Sequence, residues 1–150
     1  MKNMEDNLKQ ELRDLEKARD ILHYSYEKCR AIELIEGLSY EEQDNFEALT
    51  SRFARLSDII IQKVFRLLDI LDLEDKGTIR DRINRAEKKG IIHNADDFIE
   101  IRILRNEIAH EYKSETIYAI FEKVLEYTPK LLECVDAIEI YAQKYLKDTA

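Results

Sequence analysis

Residues that break a helical backbone are scarce in this chain: 150 residues include 3 glycines and 1 proline. So few breakers imply few turns, and few turns imply long helices. Cysteine is as sparse. Cys29 and Cys134 stand far apart, outside any C-x-x-C motif. That excludes a disulfide scaffold and leaves too few ligands for a cysteine-based zinc site. Each falls in a helical apolar pattern and reads as a buried, reduced thiol. No uncharged apolar run reaches the roughly 18 residues that a membrane span needs. The opening residues, MKNMEDNLKQELRD, lack the apolar core of a signal peptide. A cytoplasmic location is therefore expected, with no membrane contact.

What is present points to a globular domain. Hydrophobic residues at 45% and charged residues at 37% exclude a disordered chain. The length suits a single domain over 1–150, able to bury about 70% of the unfolded surface. A net charge of −8 excludes a protein that coats nucleic acid with its whole surface. A local basic patch survives that exclusion. Lys76, Arg80, Arg82, Arg85, Lys88 and Lys89 face only Asp81 and Glu87 between 76 and 90. It reads either as a solvated helix face or as a place where Arg80, Arg82 and Arg85 hold an RNA backbone.

Apolar residues recur in threes and fours. Leu8, Leu12, Leu15, Ala18, Leu22, Cys29 and Ile32 mark a first helix that Gly37 stops. Ser39 and Glu42 form a capping-box signature for the second. Its stripe runs Phe46, Leu49, Phe53, Leu56, Ile60, Val64, Leu67, Leu71. Thr78 caps a short basic helix ending near Gly90, and Asn94 caps another reaching Ala109 or Tyr112. The last helix begins at Ser114 or Glu115 and runs Ile117, Phe121, Val124, Thr128, Leu131, Val135, Ile138, Ala142, Tyr145. Pro129 lies off that stripe and predicts a kink or short break. Nothing alternates with period two. The expected fold is all-α, an antiparallel up-and-down bundle of four to five helices.

The fourth helix contains an anomaly. At about 100° per residue, Phe98, Ile101, Ile108 and Tyr112 share one side, and Arg105 falls among them with Arg102 at the margin. A guanidinium in an apolar stripe is costly unless paired or hydrated. Either it snorkels to an internal carboxylate or it serves a site. His110, five residues on, is rotated by about 140° and displaced by about 7.5 Å. The two side chains converge only if the helix ends near Ala109 or a second copy brings its own pair to one cleft.

The stretch Arg105-Asn106-Glu107-Ile108-Ala109-His110-Glu111-Tyr112 resembles the R-x4-H-x-Y motif of the HEPN superfamily, in its HepT branch. Chain length and the predicted bundle agree with that family. The resemblance implies a homodimeric, metal-independent endoribonuclease without cofactor, the toxin of a toxin–antitoxin pair. Its implied partner is a minimal nucleotidyltransferase that attaches AMP to the motif tyrosine. Carried over, Arg105 and His110 are catalytic, Asn106 and Arg102 support them, and Tyr112 is the modified residue. The chemistry suits those residue types. A histidine titrating near pH 6.5 can move the proton of a 2′-hydroxyl nucleophile or protonate the leaving oxygen. A guanidinium can hold phosphate oxygens as charge builds.

Two other readings share the fold. One is a non-catalytic, nucleotide-binding subunit of a two-component nucleotidyltransferase. The other is a helical adaptor, which predicts an internally paired Arg105 and a His110 facing no cleft. No glycine-rich phosphate loop, H-E-x-x-H motif or nucleophile elbow occurs. His23, His93 and His110 lack metal-ligand spacing. Glu100 and Glu107 read as a solvated rim, and Tyr141 and Tyr145 as packing or dimer contacts.

Overall fold

A computed structural model describes residues 3–35, 37–110 and 114–146, without the side chains of 114–116. Every regular element among them is helical. They are α1 (Met4–Cys29), α2 (Tyr40–Asp58), a π-helical stretch (Ile59–Val64), α3 (Phe65–Leu71), α4 (Ile79–Lys88), α5 (Ala95–Ala109) and α6 (Ser114–Ala142), followed by one 3-10 turn (Gln143–Tyr145). The α2, π and α3 segments run on without a break, so five rods form an all-α bundle. α2 packs on α1, α5 and α6, and α4 spans between α3 and α5.

The predicted starts hold where a side chain supplies the cap. Ser39 and Glu42 form the reciprocal capping box of α2, Thr78 and Asp81 that of α4, and the Asn94 side chain caps α5. The first predicted stop does not hold. α1 ends at Cys29, well before Gly37, with Arg30 as its C-cap. Ile32 then folds back through a turn onto the Cys29 carbonyl and packs, half-buried, against the core, so its place in the apolar pattern reflects a loop residue and not the helix. At Pro129 α6 continues through as helix, with no break. The Thr128 hydroxyl donates to the Val124 carbonyl at 2.6 Å there.

The π stretch was not foreseen. A π turn widens the helix by one residue. Here it lets Ile59, Ile60 and Ile61, three consecutive residues, all be buried. Arg82 from α4 donates to the Ile61 carbonyl at 3.1 Å. The core runs through all the rods, and the Phe46 and Phe121 rings stack at 4.8 Å between α2 and α6. Both cysteines are buried and unpaired. Burial raises the Cys29 thiol to about 11 and raises that of Cys134 as well.

A compact ionic cluster fastens α4 to the end of α3 and to α6. Asp69, 2% exposed, accepts from Arg85 Nε at 3.0 Å and from Lys89 Nζ at 2.6 Å. Lys89 also reaches Asp72 at 2.8 Å. The Tyr141 and Tyr145 hydroxyls both donate to Asp72. Lys144 lies 3.8 Å over the Tyr141 ring. Burial pushes Asp72 up, but the bonds from Lys89 and Tyr141 outweigh it and hold the carboxyl below its ordinary range. Burial works against the Lys89 ammonium, and its bonds to Asp69 and Asp72 outweigh that and raise it. A depressed acid stabilises the fold above its unfolded pKa, and a raised base stabilises it below its own. The urea midpoint should therefore hold from about pH 5 to 9, fall as acid protonates Asp72, and fall again as alkali strips Lys89. Asp72→Asn should flatten the acid limb; an unchanged limb would assign it to other carboxylates.

Leu73, just past this cluster, has φ 61 and is 90% exposed. It occupies the left-handed turn that usually takes glycine after a helix, where Glu74 N–H returns to the Asp69 carbonyl at 2.8 Å. A side chain there is strained by about 1 kcal/mol. Leu73→Gly is expected to raise stability by roughly 0.5–1 kcal/mol, read as a higher urea midpoint at unchanged slope.

Candidate functional site

α5 lies beside α2 and the π stretch, and this places Arg105 against Asp58. The contact is bidentate: Nε meets Oδ1 at 2.7 Å and Nη2 meets Oδ2 at 2.8 Å. Both side chains remain about one third exposed (33% and 38%), so the pair sits in a surface groove and not in the core. The hydrogen bond to Asp58 raises the Arg105 guanidinium, against a smaller opposing effect of burial. Screened by solvent, a forked pair of this kind contributes on the order of 1 kcal/mol.

The groove has a volume of about 410 Å³. Arg102, Arg105 and Asn106 form its α5 wall, and Asp58, Gln62 and Lys63 face them. Three of the candidate site residues picked from the sequence, Arg105 and Asn106 of the motif and the supporting Arg102, thus meet in one place. His110 is not in that lining. It is the C-cap of α5, exposed and in an extended conformation, with its N–H directed to the Asn106 and Glu107 carbonyls at 3.3 Å. α5 does end at Ala109, one of the two conditions for convergence, yet His110 is not among the residues that line the groove. Tyr112, the candidate modified residue, lies outside the described residues.

Of the three arginines assigned to RNA backbone, Arg80 is exposed, while Arg82 and Arg85 bond within the protein. Arg82 caps the Ile61 carbonyl, and burial lowers its guanidinium. Arg85 holds Asp69 and the Lys76 carbonyl. Tyr141 and Tyr145 serve as packing through their bonds to Asp72. Glu100 and Glu107 are exposed, as a solvated rim would be. The histidines lie apart: His23 beside Glu27, His93 against Glu133, and His110 at the end of α5.

Asp58 is the site residue that sequence reasoning missed. Its signal was only partial. An arginine within an apolar stripe calls for a carboxylate or water, and Asp58 directly precedes the buried Ile59-Ile60-Ile61 run. The outer side of α5 is also unusual, since Ile103 is 46% exposed and Ile99 only half-buried. No helix among the described residues is long and apolar enough to cross a membrane. Comparison with protein-family models and with curated proteins finds no match.

Proposed function

We propose that the chain is a HEPN-type, HepT-like RNA endonuclease whose site is assembled from two copies. The observation that carries this reading is the gathering of Arg102, Arg105 and Asn106 on one groove, with Asp58 fixing the Arg105 guanidinium. The fork on Asp58 uses Nε and Nη2 and leaves Nη1 to meet a phosphate oxygen. In the reaction a ribose 2′-oxygen attacks the adjacent phosphorus, and the P–O5′ bond breaks. A 2′,3′-cyclic phosphate and a 5′-hydroxyl result. His110 takes the 2′-proton or returns one to O5′, and Arg105 steadies the charge on the non-bridging oxygens.

His110 does not line the groove of its own chain, and in this reading a second copy supplies it. The apolar outer side of α5 at Ile99 and Ile103 supports a two-fold contact along that helix. The nucleotidyltransferase partner and the addition of AMP to Tyr112 belong to the same proposal and rest on the motif. The test is direct. Purified protein free of its partner should cut a fluorescent RNA in EDTA, and Arg105→Ala and His110→Ala should each abolish the cut. Cleavage unchanged in both variants would sink the nuclease reading.

A second reading draws on the Asp58 pair itself. An arginine already neutralised by a carboxylate suits a non-catalytic role, as the nucleotide-binding subunit of a two-component nucleotidyltransferase or as a plain helical adaptor. No cleavage by wild-type protein, with nucleotide binding lost in Arg105→Ala, would favour the binding subunit.

A further inference from the structure

At the N-terminal end of α5 the apolar core opens to the surface. A cavity of about 120 Å³ lies where the α4–α5 loop meets α5 and α6. Its walls are the buried Ile91, Ile92, Phe98 and Cys134, with the half-buried Ala137. Protein interiors pack without such gaps, and an apolar one attracts apolar atoms more than water. An apolar cavity of about 150 Å³ is enough to hold benzene. The space here, open on one side, suits a ring or branched chain of about six carbons.

The rim has a sign. Two ion pairs reach across it to α6. Lys130 Nζ lies 3.0 Å from Asp97, and His93 Nε2 donates to Glu133 Oε1 at 2.6 Å. Histidine carries charge only when protonated, so two acids stand against one permanent cation, and Asp97 already holds that cation. Glu133 is exposed, and the bond from His93 leaves its Oε2 to accept a second donor. Closed apolar walls with a few converging polar groups are the usual form of a small-molecule site.

We infer that this cavity binds a small primary amine. Its apolar body lies against Ile91, Phe98 and Ala137, and its ammonium takes Glu133 in place of the His93 ring. A carboxylate in that position would face Glu133 and Asp97 and be repelled. The cavity shares no lining residue with the Arg105 groove, and the assignment does not depend on the RNA-cleaving reading.

The test titrates the full chain, labelled with ¹⁵N, with benzylamine, benzyl alcohol and benzoate, which share a ring and differ in the head group. Benzylamine should bind with a Kd on the order of 1 mM, and its amide shifts should gather at the cavity walls. Benzyl alcohol should bind about 3-fold more weakly, and benzoate about 10-fold more weakly or worse. His93→Ala removes the competing donor and should tighten benzylamine about 2-fold. Glu133→Gln should weaken benzylamine about 3-fold and leave benzyl alcohol unchanged. A general disturbance of the fold would move both variants the same way. Ala137→Phe fills the space and should remove binding of benzylamine and benzyl alcohol together. Benzoate matching benzylamine, shifts that fall elsewhere, losses of equal size in His93→Ala and Glu133→Gln, or binding that survives Ala137→Phe would each overturn the assignment.

Discussion

Mixing two inactive variants, Arg105→Ala and His110→Ala, is expected to restore RNA cleavage to about a quarter of the wild-type rate. Each variant alone should lose about 10²–10⁴-fold. The expectation comes from geometry: Arg105 lines the groove, while His110 caps the helix outside it. If each site takes its arginine from one copy and its histidine from the other, a mixed dimer keeps one intact site. The second site of that dimer lacks both groups. Random exchange makes about half of the dimers mixed, which sets the figure. Co-refolded or co-expressed proteins, assayed on one fluorescent RNA, give the answer. Restoration at that level requires a shared site. No restoration, with both single variants dead, returns both groups to one chain and demands that the end of α5 rearrange.

The second large effect is on stability. Asp69→Ala should cost about 3 kcal/mol, because it strands Arg85 and Lys89 around a buried position. Asp69 is 2% exposed and is the acceptor for both cations. Lys89 would keep Asp72, which tempers the loss. Arg80→Ala, on an exposed residue of the same short helix, should stay within about 0.5 kcal/mol. Urea unfolding of the two variants measures the contrast. Equal costs would mean that α4 is held by its apolar contacts, Ile83 and Ala86, and not by the ionic cluster.

That cluster also explains what could be read from the sequence and what could not. Stripes in threes and fours report burial on one face, and Phe46, Phe53, Leu131 and Ile138 lie where the pattern puts them, fully buried. Caps are local, so Ser39, Thr78 and Asn94 announced their helices. The basic run at 76–90 looked open because its partners, Asp69 and the Ile61 carbonyl, come from another helix. Long-range pairing is invisible to local charge counting. The same limit hid Asp58: the cost of placing Arg105 was legible, but the identity of its partner was not. The π stretch left no trace in the apolar spacing, since Ile60, Val64 and Leu67 satisfy an ordinary helix equally well. Only the burial of three successive isoleucines reveals it.

The extra residue in that stretch has a consequence for aim. Asp58 and Asp69 are eleven positions apart, and in a regular α-helix they would point within about 20° of each other. Absorbing one residue in the wide turn swings them apart by about 80° instead. One continuous rod can then offer a carboxylate to Arg105 on α5 and another to Arg85 on α4. A regular α-helix through 59–64, with every residue kept, would bring both acids back into line, and one of the two arginines would lose its counter-ion.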